Sequence, residues 1–119
     1  GVGAERAREL NAPFLHAALG APRPWVTLKL ALSLDAAVAD HTRQPGWLTG
    51  LPARRLVHRR RAGADAVAVG IGTALADDPA LTVRHGALPR VAPLRVVFDR
   101  RLRLPPDGAL ARTARETPV

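Results

Sequence analysis

The run from Thr73 to Arg84, Thr-Ala-Leu-Ala-Asp-Asp-Pro-Ala-Leu-Thr-Val-Arg, gathers side chains suited to chemistry more than to packing. It holds a hydroxyl (Thr73), two adjacent carboxylates (Asp77 and Asp78), a rigid Pro79 and a cation (Arg84). Paired acids invite a metal reading, but neighbours on a strand or turn point apart, and no histidine stands close by in sequence. A helix cap or a contact to a ribose hydroxyl suits them better, and no metal site is expected. Arg61 and Arg84 suit a phosphate, because a planar guanidinium offers two parallel charge-assisted hydrogen bonds. Each taken singly would be an ordinary surface charge. Lys29 lies inside an apolar stretch, facing either a ligand or water with equal warrant. Trp47 reads as a core anchor, and His41, His58 and His85 are scattered too widely to define a site.

The elements that must position these groups follow from periodicity. Residues 25–34 alternate, with Val26, Leu28, Leu30, Leu32 and Leu34 on one side and Trp25, Thr27, Lys29, Ala31 and Ser33 on the other. Such alternation predicts a strand with one wholly apolar face packed in the core. Residues 36–46 read as a polar loop. Thr49 or Gly50 caps a helix with Pro52 in its first turn and Ala53, Leu56 and Val57 as its apolar stripe. The opposite side, Arg54, Arg55, Arg59, Arg60 and Arg61, is mostly a solvated face. Residues 65–70 form a second strand, closed by Gly70-Ile71-Gly72 and followed by the Asp-Asp-Pro segment as a loop. Gly70-x-Gly72 is half of a dinucleotide fingerprint, with Leu75 where a third glycine would stand. Residues 94–99 are a third strand, and 109–114 a short helix. Towards the N-terminus, 4–19 has helical spacing interrupted at Pro13, followed by a Gly-Ala-Pro-Arg-Pro linker at 20–24. This order predicts an open α/β sheet, whose ligands bind beyond the carboxyl ends of the strands.

Composition narrows the partners. The 119 residues make one domain at most, and the net charge is +8. Lys29 is the only lysine among eighteen basic residues, a bias expected of a GC-rich genome. Aromatic content of 3% is too low for the stacking platforms that grip single-stranded nucleic acid. The charge is better read as general background with some attraction for phosphorylated ligands. Cysteine is absent, which excludes disulfides and thiolate metal sites. No apolar run approaches the length of a membrane span, so a soluble cytoplasmic protein is expected.

Three blocks in the same order resemble one family. Gly72-Thr73-Ala74-Leu75-Ala76-Asp77-Asp78-Pro79-Ala80-Leu81-Thr82-Val83-Arg84 is similar to the signature of the reductase domain of the bifunctional riboflavin biosynthesis deaminase/reductase. Trp25 to Asp35 resembles that domain's first strand. Trp47-Leu48-Thr49-Gly50, with Ala53-Arg54-Arg55 and Arg61, resembles its first loop and helix. Residues 1–19 resemble the tail of the preceding deaminase domain, which leaves 20–24 as linker and 25–119 as the N-terminal part of a reductase domain. The zinc chemistry of a deaminase needs Cys ligands that this chain lacks.

The resemblance implies a dihydrofolate-reductase-like fold, incomplete at the C-terminus. It further implies NADPH-dependent reduction of 5-amino-6-(5-phosphoribosylamino)uracil, by hydride delivery to C1′ of the ring-opened sugar imine. By residue match, Lys29 and Asp77 would give polar assistance. Ala31, Trp47, Thr73, Asp77 and Arg100 would lie at the cofactor, where a cation at Arg100 favours a 2′-phosphate. Pro45, Arg61, Leu81 and Arg84 would lie at the substrate. Two departures stand out. Pro45 replaces a substrate-contacting serine and has no hydroxyl to offer. Ala36 replaces a glycine after Asp35, a position that would strain alanine if the backbone requires positive φ. Two other readings are a catalytically idle truncated relic and a basic nucleic-acid-binding module. A free sheet edge would also favour self-association, including a homodimer.

Overall fold

The computed structural model describes residues 1–39 and 48–119, which fall into two units, Gly1–Leu30 and Ala31–Val119. Pro45 and Trp47 lie outside the described residues, as does His41.

The first unit is built on α1 (Ala4–Leu10) and α2 (Ala12–Ala18). Asn11 ends one and starts the other, its Nδ2 donating to the Ala7 carbonyl at 2.8 Å. Pro13 falls in the first turn of α2, where its missing N–H has no partner to lose. The predicted interruption of the helix is therefore real. Beyond α2, the His16 Nε2–H donates to the Arg23 carbonyl at 2.6 Å and the ring meets Trp25 edge-on at 5.6 Å.

The second unit carries α3 (Leu51–Ala62), β1 (Ala66–Gly70), α4 (Ile71–Asp77), β2 (Leu94–Phe98) and α5 (Ala109–Arg112). Strands β1 and β2 are adjacent and parallel, with Ala66 opposite Leu94 and Gly70 opposite Phe98. Their inner face, Val67, Val69 and Val97, packs on a small core of Ala74, Leu81 and Leu110. Arg95 shares that inner face and is 1% exposed. The outer face carries Leu94 and Phe98 and is open, which fits neither strand being covered by a helix on that side.

Two expectations fail here. Residues 25–34 form no strand: the supposed core side chains are exposed, from Leu32 at 46% to Leu34 at 108%. Alternation specifies which side chains share a face, not which segment supplies the ladder hydrogen bonds, and among the described residues no segment pairs with this one. The Gly70-Ile71-Gly72 turn is instead the start of helix α4, which runs to Asp77, so the expected loop begins only at Asp78-Pro79. Gly70 is its extended N-cap, and Thr-Ala-Leu-Ala continues without a breaker until Asp78 turns left-handed at φ 39°. The helix at 51–62 and both later strands match the sequence expectation closely.

Candidate functional site

Helix α3 starts at Gly50, with Pro52 in its first turn, and ends at Gly63, whose N–H returns to the Arg60 carbonyl at 3.3 Å. Its last turn projects Arg61, and the turn before it projects His58. The Asp78–Arg84 segment runs alongside this end. It bends sharply because both Asp78 and Leu81 (φ 52°) take left-handed backbone, a conformation rare for residues with a Cβ.

That bend brings Arg61 and Arg84 together. Arg61 Nη1 donates to the Thr82 carbonyl at 3.3 Å. Burial, and then the nearby Arg84 guanidinium, push the Arg61 pKa below its ordinary value. Two neighbouring cations with no carboxylate paired to either among the described residues suit an anion, since one doubly charged oxyanion relieves their repulsion. Arg84 is exposed and Arg61 half-buried, so the pair faces solvent on one side.

His58 and His85 join the same cluster, although the sequence left them scattered. The His58 ring is 6% exposed, and its Nδ1 accepts the Arg84 backbone N–H at 3.1 Å. The His85 ring packs edge-on against it at 4.8 Å. Burial lowers the His58 pKa first, followed by the charges of Arg61, His85 and Arg84, against a weaker opposing pull from the Thr82 carbonyl. The cluster therefore carries a neutral imidazole among cations.

Leu81 lies in the core at 3% exposure. Asp78 caps a helix, as the sequence favoured, but a distant one: its Oδ1 accepts the Ala109 N–H at the start of α5 at 2.7 Å. Thr73 and Asp77 are exposed one turn apart on α4, immediately past the carboxyl end of β1. Arg100 lies immediately past the carboxyl end of β2, so Thr73 and Arg100 occupy the same end of the parallel pair. The Arg100 loop is organised by Asp99, whose Oδ2 accepts the N–H groups of Arg103 at 2.5 Å and Leu104 at 2.8 Å. Lys29 is exposed and Ala31 half-buried. Beside Ala31, the Ser33 hydroxyl donates to Asp35 at 2.5 Å, and this bond holds the Asp35 carboxyl below its usual range. Ala36 does adopt positive φ, 62°, where the resemblance expects glycine. Among the described residues, no group of three His, Asp or Glu side chains could hold a metal ion.

Sequence reasoning passed over one further buried polar residue, Arg95. Its guanidinium donates to Thr113 Oγ1 at 2.7 Å, to the Thr113 carbonyl at 3.1 Å, and to the carbonyls of Thr117, Leu110 and Ala80. No carboxylate bonds to it, and desolvation lowers its pKa. A lone arginine in the apolar run Leu94–Phe98 was the available signal.

Residues 24–119 match the RibD C-terminal domain family. The chain belongs to that family. The RibD protein of Aquifex aeolicus is 38% identical over 113 residues, covering 95% of this chain and 31% of that one. The 2,5-diamino-6-ribosylamino-4(3H)-pyrimidinone 5′-phosphate reductase of Archaeoglobus fulgidus is 43% identical over 91 residues, 70% of this chain and 42% of that one. Among solved structures, Acinetobacter baumannii RibD superimposes with a TM-score of 0.75 at 38% identity, over 96% of this chain and 33% of that one. The fold is thus the dihydrofolate-reductase-like α/β fold of RibD reductase domains, seen here with a small parallel sheet. The chain spans about a third of the length of the RibD relatives it matches.

Proposed function

We propose that this chain is the substrate-recognising part of an NADPH-dependent reductase of riboflavin biosynthesis, acting on 5-amino-6-(5-phosphoribosylamino)uracil. The carrying observation is the Arg61–Arg84 pair, which offers a sugar 5′-phosphate two guanidiniums and no competing carboxylate. The relative named a ribosylaminopyrimidine 5′-phosphate reductase supports the same substrate class.

In this reading Arg61 and Arg84 hold the phosphate, and Leu81 and Pro45 are the further substrate positions. Thr73, Asp77, Arg100, Ala31 and Trp47 hold the cofactor. The fit rests on the exposed hydroxyl and cation that Thr73 and Arg100 place beyond the carboxyl ends of β1 and β2. Bound NADPH would supply the hydride that converts the sugar imine to the ribityl amine. Lys29 or Asp77 would manage the accompanying proton at the imine nitrogen or a sugar oxygen. Residues 1–19 are read as a remnant of a deaminase domain and 20–24 as linker. The proposal includes a cytoplasmic enzyme and pairing of two copies through the open β1–β2 face. Among the described residues no helix is long and apolar enough to cross a membrane.

A second reading, a chain that binds but does not turn over substrate, draws support from Val26, Leu28, Leu30, Leu32 and Leu34, which are exposed and form no strand. One experiment separates the two. Purified protein is mixed with NADPH and either the aminouracil or the diaminopyrimidinone ribosyl phosphate, and loss of reduced-nicotinamide absorbance is followed. Steady oxidation dependent on the phosphorylated pyrimidine supports the reductase. Saturable binding of the pyrimidine without oxidation supports the idle reading, and binding of oligonucleotide with a steep salt dependence would replace both.

A further inference from the structure

The nearness of Arg84 to Arg61 has to be enforced, because two guanidiniums repel each other. Arg84 is exposed, outside any helix or strand, and follows a buried to half-buried stretch at 79–83. A side chain on such a segment would swing away from a second cation unless its backbone were tied. One tie reaches that backbone: the Arg84 N–H donates to His58 Nδ1 at 3.1 Å. His58 itself is held by α3, buried at 6% exposure, with His85 closing the ring's edge at 4.8 Å.

We propose that His58 is a positioning residue for the anion site, a neutral imidazole in the Nε2–H form whose bare Nδ1 hooks the Arg84 backbone and keeps the two guanidiniums facing one ligand. This rests on the reading of Arg61 and Arg84 as a phosphate site. Neutral imidazole has one donor and one acceptor nitrogen, and a backbone N–H can be received only at the bare one. Protonation would turn Nδ1 into a donor facing a donor and release the segment. Arg61 on α3, and Arg84 and His85 on the segment across from it, oppose that protonation against a weaker pull from the Thr82 carbonyl. Imidazole is thus used here as a backbone acceptor, with no role in proton transfer.

The hook also explains why a rigid ring suits this place. A methylene-linked acceptor on a flexible stem would lose more freedom on fixing the same bond. The Asp78–Leu81 bend delivers the segment to α3, and the Arg61 bond to the Thr82 carbonyl and the His58 bond to Arg84 then pin it at two points. Only the second of these fixes the residue whose side chain must stay beside Arg61.

The test compares His58→Asn with His58→Phe in the full chain. Asparagine Oδ1 falls near the place of Nδ1 and keeps an acceptor, whereas phenylalanine keeps the ring and removes it. Ribose 5-phosphate in phosphate-free buffer is the probe, with binding read by calorimetry. Amide exchange of Arg84, referenced to amides of β1, reads the hook directly, and the nitrogen shifts of His58 report its tautomer. The expected result is the Nε2–H tautomer, at least tenfold weaker binding and tenfold faster Arg84 exchange in His58→Phe, and values within about threefold of the parent in His58→Asn. Unchanged binding in His58→Phe, or the Nδ1–H tautomer in the parent, overturns the proposal. Should the parent fail to bind ribose 5-phosphate, the phosphate site falls, while the tautomer and Arg84 exchange still decide whether the hook exists. Loss of β1 protection in His58→Phe marks general unfolding, and His58→Asn then decides alone: slow Arg84 exchange supports the hook and fast exchange rejects it.

Discussion

Replacing Arg95 with methionine should loosen the C-terminal segment while sparing the strands. The guanidinium gathers five acceptors, of which Thr113 Oγ1 at 2.7 Å, the Thr113 carbonyl at 3.1 Å and the Thr117 carbonyl are short, and Ala80 and Leu110 at 3.4 Å are long. Methionine fills a similar volume and removes all three short bonds, leaving the Thr113 carbonyl with only its Glu116 and Thr117 amide donors. A hydrogen bond from a charged group is worth about 1.5–3 kcal/mol, but relief of the buried charge returns part of that. Weighting the short bonds at about 1 kcal/mol each after that offset gives a loss near 3 kcal/mol. The amides of Glu116 and Thr117, which donate to the Thr113 carbonyl at 3.1 and 3.0 Å, report the opening. Their exchange should accelerate roughly 100-fold, since each 1.4 kcal/mol is tenfold, while Val67 and Val69 change little. Equal exchange of Glu116 and Thr117 in parent and variant, within about threefold, would refute the clamp.

Three further outcomes are expected. Arg84→Ala should raise KM for the phosphorylated pyrimidine by about 10- to 100-fold, a loss of roughly 1.5–3 kcal/mol, and leave NADPH affinity unchanged; equal weakening of both would make Arg84 structural. Asp78→Ala removes the acceptor of the Ala109 N–H and should destabilise α5 by about 1 kcal/mol, read as faster exchange of the Ala109 amide; an unchanged rate would show that water replaces the cap. His58 has a folded pKa below its ordinary value, so on acidification the unfolded chain takes up its proton first. Stability contributed by the neutral ring is then complete above the unfolded pKa of about 6.5 and lost as pH falls through the folded value. A thermal midpoint lower at pH 5 than at pH 7.5, with a shallower dependence in His58→Asn, is the expected pattern, and equal dependences would contradict it.

Much of the second unit was legible from local signals. Gly50 and Pro52 announced α3, and the apolar runs at 66–70 and 94–98 announced the parallel strands. Reading Arg61 and Arg84 as a pair needed the family resemblance, and the structure brings them together through a bend no local propensity predicts, since neither Asp78 nor Leu81 is a glycine. The miss at 25–34 came from treating period two as sufficient for a strand, when a ladder partner is also required. Helix α4 was hidden by Gly70 and Gly72, which look like a turn but serve as an N-cap and first-turn residue. His58 and Arg95 stayed invisible for a shared reason: apart from the Thr113 hydroxyl, the partners are backbone groups between 15 and 26 residues distant, and backbone groups carry no sequence signature.

The Arg95 clamp also orders events in time. The separations it closes, 15 to 22 residues, differ little in chain entropy from the 31 residues between Asp78 and Ala109, because closure cost grows only as the logarithm of length. Loop length therefore sets no sequence of assembly. Solvation does: a guanidinium gives up its water only when carbonyls stand ready to replace it, and those carbonyls come from segments on both sides of β2. The strands and the bend at Asp78–Leu81 are thus expected to form while Arg95 is still wet, so that Arg95→Met speeds unfolding more than it slows folding, and an equal effect on both rates would contradict this order.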